Sequence, residues 1–308
     1  MTEAETPPAG SHRDLPGRTG SLAELLGLEQ VERHSFRGLS RRGGMHRKFG
    51  GEIAGQAAMA AGLTVARERT LHSAHTHFLR EGNSDAPVTY RVRPVRDGTS
   101  ISTRHVDGLQ DGHLICQLTA SFQREGAGFD HQIPRASAPP PEQLPTVEEL
   151  LRDDPENLAW AQAVMARGSV EFRFPIPPNR VVASRGASTP PRQRIWIRAR
   201  APLPGDPLMH RAALLYLSDY LLLSVAATHH GVIPQDPGIQ FATIDHSVWF
   251  HHFRRADEWL LHEQESPWAG QGLALCRGFL FDRDGALVAS TQQQGLLRRR
   301  DSGVRVPG

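Results

Sequence analysis

Asp219 stands in a run that is otherwise almost wholly apolar, from Ala212 to Ala227. A carboxylate in such a place costs roughly several kcal/mol unless it is paired or hydrogen-bonded. A chain that keeps one there uses it as a structural anchor or as chemistry. Two uncharged polar residues on predicted strands of the same half could serve it. Thr243 lies in Ala242-Thr243-Ile244-Asp245-His246-Ser247, and Gln293 lies in Ser290-Thr291-Gln292-Gln293-Gln294-Gly295. Together a carboxylate, a hydroxyl and an amide can hold one water. The carboxylate takes its proton while the other two aim its oxygen. That set suits hydrolysis without a covalent intermediate. Taken singly, Thr243 and Gln293 also read as satisfied strand residues. Strand alternation predicts Thr243, Asp245 and Ser247 on one face and Ile244 and His246 on the other, with Gln293 sharing a face with Thr291.

Other constellations carry less. Neighbours on a strand point oppositely, so Asp245-His246-Ser247 cannot relay a proton among themselves, and no GxSxG elbow places a nucleophilic serine. The sixteen histidines include His75 and His77 on one strand face and the pairs His229-His230 and His251-His252. No HExxH occurs and no cysteine stands at ligand spacing, so no metal is expected. Phe49-Gly50-Gly51-Glu52-Ile53-Ala54-Gly55-Gln56 is not a dinucleotide fingerprint. It reads either as a tight entry into a closely packed helix or as a helix start whose free N–H groups, at Gly50 and Gly51, face an anion or a developing oxyanion. Arg80, Arg96, Arg104, Arg254 and Arg277 could meet phosphates; each alone is more simply a solvated strand residue or a surface ion pair.

The elements that must position these groups can be read along the chain. Residues 1–20 read as a disordered tail. Ser21-Leu22-Ala23-Glu24 is a capping box for a short helix ending near Gly27, and Gln30–Phe36 reads as a strand. Glu52–Ala66 reads as an Ala-rich helix. Strands follow at Leu71–Leu79, Val88–Val95, Ser100–Gln110 and His113–Gln123, with turns at Asp97-Gly98 and Asp111-Gly112. A proline-rich stretch, 126–145, should be extended and exposed. Thr146-Val147-Glu148-Glu149 opens a short helix, and Asn157–Arg167 is another. Strands at Val170–Phe174 and Arg194–Arg200 lead to the apolar helix His210–Thr228. Four more strands follow: Ala242–Phe253, Glu258–Glu265, Gly272–Asp282 and Ala286–Leu297. The halves overlay at an offset of roughly 170 residues, as an internal duplication would; Leu71–Arg80 falls on Thr243–His252. The fold class is α+β. A long helix wrapped by a curved antiparallel sheet is the hotdog arrangement, and two in tandem make a double hotdog. One unit spans 21–125 and the other, with the catalytic groups, 169–300. A linker with short helices occupies 126–168 and a tail 301–308.

The chain has 308 residues and a net charge of +2, which gives no strong pull toward nucleic acid or membrane. Lys48 is its one lysine; a coding bias is the simpler reading of so many arginines. Cys116 and Cys276 are its two cysteines, which form no framework and fit a cytoplasmic location. No signal peptide or membrane span is legible.

The chain resembles the acyl-CoA thioesterase II family of TesB-like enzymes. The first half carries the likeness in Phe49 to Ala57, His72-Ser73, Phe78-Leu79-Arg80-Glu81-Gly82, Arg96-Asp97-Gly98 and Ser121-Phe122-Gln123. The second half carries it in Leu217-Ser218-Asp219, Ala242 to His251, Glu258-Trp259-Leu260-Leu261, Arg277-Gly278, and Asp284-Gly285 through Ser290. The resemblance implies a double hotdog and an acyl-CoA thioester hydrolase, with no cofactor and a homodimeric or homotetrameric assembly. It also implies an Asp, Thr and Gln that match Asp219, Thr243 and Gln293. Three departures stand out: Gln294 where the family has Glu, Glu81 where it often has Pro, and His251-His252-Phe253 where it often has His-Arg-Pro-Phe. None removes a catalytic group. The first-half helix has an acid only at its start, Glu52, which predicts one catalytic centre per chain. A non-catalytic acyl-CoA binder or regulatory protein and a hotdog enoyl-CoA hydratase or dehydratase are the alternatives.

Overall fold

The computed structural model describes residues 20–40 and 47–300. Most of the tail expected at 1–20, and all of that at 301–308, lies outside the described residues.

Helix α1 (Leu22–Leu26) starts on Ser21, whose hydroxyl accepts from Glu24 while the Glu24 side chain accepts from the Ser21 amide. The strand expected over Gln30–Phe36 is instead a hairpin, β1 (Leu28–Glu32) and β2 (Ser35–Gly38), because the chain turns at Arg33-His34. Helix α2 (Gly50–Gly62) takes Gly50 and Gly51 into its first turn. Four strands follow: β3 (Thr70–Phe78), β4 (Thr89–Asp97), β5 (Ile101–Gln110) and β6 (His113–Gln123). Beyond the proline-rich stretch come α3 (Val147–Leu150), α4 (Pro155–Gly168), β7 (Val170–Arg173), α5 (Asn179–Ala183) and β8 (Arg192–Ala199). The last part holds α6 (Pro207–Ser218), α7 (Ser224–His229), β9 (Ile239–Phe250), β10 (Leu260–Gly270), β11 (Leu273–Phe281) and β12 (Leu287–Arg299).

Among the described residues twelve strands form one antiparallel sheet in the order β1-β2-β4-β5-β6-β3-β9-β12-β11-β10-β8-β7. The order is palindromic: each strand of the first half has a counterpart at the same distance from the centre. The halves meet where β3 pairs with β9, His75 opposite Ser247. Helices α2 and α6 hold equivalent places and pack on each other in opposite directions, with Gly51 against Tyr216, Gly55 against Ala212 and Gly62 against Leu208. Small residues make that approach possible; a Cβ on Gly55 would sit 3.1 Å from the Ala212 carbonyl oxygen. Both helices bury most of their length in a core shared by the two halves, because neither helix nor sheet can cover its own apolar face.

A further expectation needs correction. The helix expected over His210–Thr228 stops at Ser218 and restarts at Ser224. Leu221 takes a left-handed conformation with φ 61° between the two pieces, a costly geometry for a branched-chain residue. The proline-rich stretch is largely extended and exposed, as expected, apart from a single 3-10 turn over Pro141–Gln143, and it is pinned to the second half of the sheet. Gln132 bonds the Gly285 carbonyl and the Leu287 amide, and the Trp196 indole donates to the Pro139 carbonyl.

Candidate active site

The break in the apolar run is what delivers Asp219. The residue caps the C-terminus of α6, where helix carbonyls disfavour a negative charge. The N-terminus of α2 faces it and supplies the opposite polarity. The Gly51 amide donates to Asp219 Oδ2 at 2.7 Å, and Gln293 Nε2 donates to Oδ1 at 2.6 Å. Asp219 is only 8% exposed, so these bonds carry much of its solvation. Gln293 Nε2 also donates to Thr243 Oγ1 at 2.7 Å. Both amide protons of Gln293 are thereby used, and the Thr243 hydroxyl keeps its own proton to donate. Gln293 Oε1 is buried with no partner among the described residues.

The three expected side chains converge, but not by the expected alternation. Thr243 shares the inward face with His246, whereas simple alternation puts them on opposite faces. The cause is a β-bulge: Gln294 pairs with Asp245 and Gly295 with Thr243, leaving Ile244 unopposed. An extra residue inverts the parity of everything before it. Asp245 points elsewhere and accepts from the Gln294 amide at 3.1 Å. Asp245, His246 and Ser247 form no relay. His246 reaches inward to Ser218 Oγ at 2.8 Å, and Ser218 in turn donates to the Leu215 carbonyl at 3.0 Å. With that hydroxyl proton committed, His246 Nε2 carries the hydrogen. Burial lowers the pKa of His246, against the pull of Asp219 and Asp245, which keeps the imidazole neutral behind the carboxylate.

Gly50 and Gly51 part ways. Gly51 gives its N–H to Asp219, so it anchors the carboxylate and is not a free donor for an oxyanion. The Gly50 amide, at the first position of α2, has no intrahelical acceptor. Both positions exclude side chains. A Cβ at Gly51 would lie 2.7 Å from the Tyr216 carbonyl oxygen, and one at Gly50 would lie 2.9 Å from Asp219 Oδ2.

An aromatic cluster fixes the two helix ends and was not singled out in the sequence. Phe49 packs on Tyr216 and Tyr220 at centroid distances of 5.3 and 4.6 Å, and the two tyrosine hydroxyls lie 2.8 Å apart. The i, i+4 spacing of Tyr216 and Tyr220 across Asp219 was the available signal. A cavity of about 730 Å³ opens onto Asp219, Thr243, Gln293 and Gly50. Its walls are largely apolar, with Phe78, Leu222, Leu223 and Phe241 among them. Of the five arginines considered for phosphate contact, Arg80 alone lines it. Arg104 binds Asp97 and Thr64, Arg254 binds Asp282, and Arg277 binds Glu265. Among the described residues no group of three or more His, Cys, Asp or Glu is placed to hold a metal, and no helix is long and apolar enough to cross a membrane.

Residues 41–123 match the family model for the acyl-CoA thioesterase N-terminal domain, and residues 166–296 match that for acyl-CoA thioesterase. Human acyl-coenzyme A thioesterase 8 is 36% identical over 299 residues, covering 94% of this chain and 93% of the relative. Acyl-CoA thioesterase 2 of Haemophilus influenzae is 34% identical, covering 90% of this chain and 97% of the relative. Among solved structures, the acyl-CoA thioesterase II TesB2 of Mycobacterium marinum superposes with a TM-score of 0.73 at 36% identity, covering 91% of this chain and 99% of that one. A hot dog fold protein of Alicyclobacillus acidocaldarius, at 21% identity, superposes with a TM-score of 0.73 over 90% of this chain and 97% of its own; it speaks to fold alone. A hotdog sheet around paired helices, two family models and relatives matched nearly end to end agree: the chain belongs to the acyl-CoA thioesterase family.

Proposed function

We propose that this thioesterase hydrolyses acyl-CoA by direct attack of water on the thioester carbonyl, with Asp219 as general base. The observation that carries this reading is the buried Asp219 carboxylate, bridged to Thr243 by one glutamine in the wall of a largely apolar cavity. A water between Asp219 and Thr243 gives a proton to the carboxylate as its oxygen bonds to the acyl carbon. In this reading the Gly50 N–H, at the positive end of α2, receives the oxyanion. Collapse of the tetrahedral intermediate breaks the C–S bond, and the proton on Asp219 passes to the departing sulfur. The thiolate of CoA leaves readily, so the reaction needs no covalent acyl-enzyme. Gln293 is the brace: with both N–H groups engaged, it sets the distance between base and hydroxyl.

The palindromic strand order supports two tandem hotdog units, 21–125 and 169–300, joined by the strapped segment 126–168. Assembly into a homodimer or homotetramer fits a sheet that ends on β1 and β7 among the described residues. A cytoplasmic location fits two free, buried thiols.

The test is thiol release across a panel of acyl-CoA esters of graded length. Release of one thiol per acid formed is expected. Binding without turnover, or conversion of enoyl or 3-hydroxyacyl esters with no thiol released, contradicts the hydrolase reading.

A further inference from the structure

The break between α6 and α7 sets Asp219 in place, and the break is strained. Leu221, two residues on, keeps a φ of 61°, a left-handed conformation that costs a leucine free energy. Relaxed into the right-handed region, it would let α6 run on toward α7, and the carboxylate would lie within a helix rather than at its end. A polar hold on this turn comes from β10. Gln264 Nε2 donates to the Tyr220 carbonyl at 2.7 Å. That carbonyl shares its peptide plane with the Leu221 amide, so the bond fixes the plane that joins Tyr220 to the strained residue.

Gln264 is itself held in one orientation. It is only 2% exposed. Its second amide proton goes to His262 Nδ1 at 3.0 Å, and its Oε1 accepts from Gln193 Nε2 at 3.3 Å. Burial keeps His262 neutral, so Nδ1 remains an acceptor. Gln193 stands opposite Gln264 in the register of β8 and β10. The Asn179 amide orients it in turn by donating to its Oε1 at 3.1 Å, and Asn179 Nδ2 donates to the Arg192 carbonyl at 3.1 Å. Turned over, the Gln264 amide would set its oxygen against the Tyr220 carbonyl oxygen. An apolar residue of equal length would fill the same space, so three bonds to one buried amide mark it as a device for direction rather than for volume. Gln264 does not line the cavity that opens onto Asp219, so whatever it does for a substrate passes through the residues it bonds.

We propose that Gln264 is a positioning residue of the reaction: its bond to the Tyr220 carbonyl locks the left-handed turn at Leu221 and so keeps Asp219 at the end of α6. The proposal rests on the general-base reading above, and its test separates the two. Thiol release from one acyl-CoA is measured with Gln264→Met, which keeps the length of the side chain and removes both N–H groups. kcat should fall about tenfold or more while KM changes less than about threefold, because a displacement of about 1 Å at the base weighs on the chemical step more than on binding. Two further backgrounds separate positioning from packing. Glycine takes a left-handed conformation without strain, so in Leu221→Gly the turn no longer needs its lock. Adding Gln264→Met there should lower kcat less than about threefold relative to Leu221→Gly alone. In Asp219→Asn no base is left to position, and adding Gln264→Met should lower the residual rate less than about twofold. An unaltered kcat in Gln264→Met, a loss carried by KM, or a loss that persists in full in either background overturns the proposal. Where Gln264→Met alone does not fold, a folded and active Leu221→Gly/Gln264→Met chain supports the lock; a pair that also fails to fold makes Gln264 a core residue and overturns it. An Asp219→Asn chain that keeps the unaltered rate sinks the general-base reading instead, whatever Gln264→Met does.

Discussion

Each oxygen of Asp219 has its own donor, one from the backbone of α2 and one from the side chain of Gln293. The Gly51 bond depends on an approach that only glycine permits, because a Cβ there would lie 2.6 Å from the Phe49 ring and 2.7 Å from a backbone oxygen. Gly51→Ala should therefore displace the start of α2 from Asp219. We expect a stability loss of about 1–3 kcal/mol, typical of overpacking, together with a fall in kcat. Urea unfolding and steady-state hydrolysis of one acyl-CoA check both; a variant with unchanged kcat would show that the Gly51 bond does not position the base. The three polar residues were legible by type: an acid among leucines, a strand threonine and a strand glutamine. Their faces were not. The bulge at Ile244 inverts the parity of β9, and no Gly or Pro in Thr243–Ser247 announces it. The role of Gly51 was open in the sequence for a similar reason. A helix N-terminus can bind a substrate oxyanion or a protein carboxylate, and only the fold shows which arrives.

At the scale of elements, the apolar run from α6 into α7 is the place where pattern and structure part. Its composition reads as one helix, yet the chain needs Asp219 at an end, where side-chain oxygens can meet another helix's amides. The hint was Ser218 and Ser224, which flank the break and donate to the carbonyls three residues before them, Leu215 and Leu221. Helix α5, with two prolines before it, gave no periodic signal in five residues. The inner face of the sheet also carries buried histidines, with a consequence for acid stability. Burial pushes the pKa of His262 on β10 down to about 3 from 6.5, so the folded chain holds it neutral. Between these values the unfolded chain binds the extra proton, and stability falls as pH falls by about 1.4 kcal/mol per pH unit for each such histidine. Above pH 6.5 this contribution is flat. Urea unfolding from pH 7 down to 5 should show a dependence that His262→Gln reduces by about one proton. An identical dependence in the variant would place His262 outside the acid response.

At the scale of the whole molecule the strand order is palindromic, and Asp219, Thr243 and Gln293 of the proposed centre all stand in the second half. Overlaying Leu71–Arg80 on Thr243–His252 puts Leu71 in the place of Thr243 and Ala74 in that of His246. Ala74 pairs with Ala120 as His246 pairs with Gln293, so alanine stands where the glutamine would be. The matching order of elements in the two halves was readable from turns and helix spacing, which keep their register while side chains differ. The strapping of the 126–145 segment across the sheet was not, because it is made by scattered contacts with residues far along the chain: Gln132 with the backbone at Gly285 and Leu287, Arg283 with Glu142, and Ala138 and Leu144 against the Trp196 and Trp259 cluster. On the proposed single centre, calorimetric titration with a non-hydrolysable acyl-CoA thioether should give one site per chain; two equivalent sites would contradict the assignment. If Asp219 is the general base, as proposed, a single substitution silences the chain. Asp219→Asn keeps the shape and removes the base, so thiol release from acyl-CoA by the folded variant should fall at least about a hundredfold. A folded Asp219→Asn chain that hydrolyses acyl-CoA at near the unaltered rate would contradict the account at its centre.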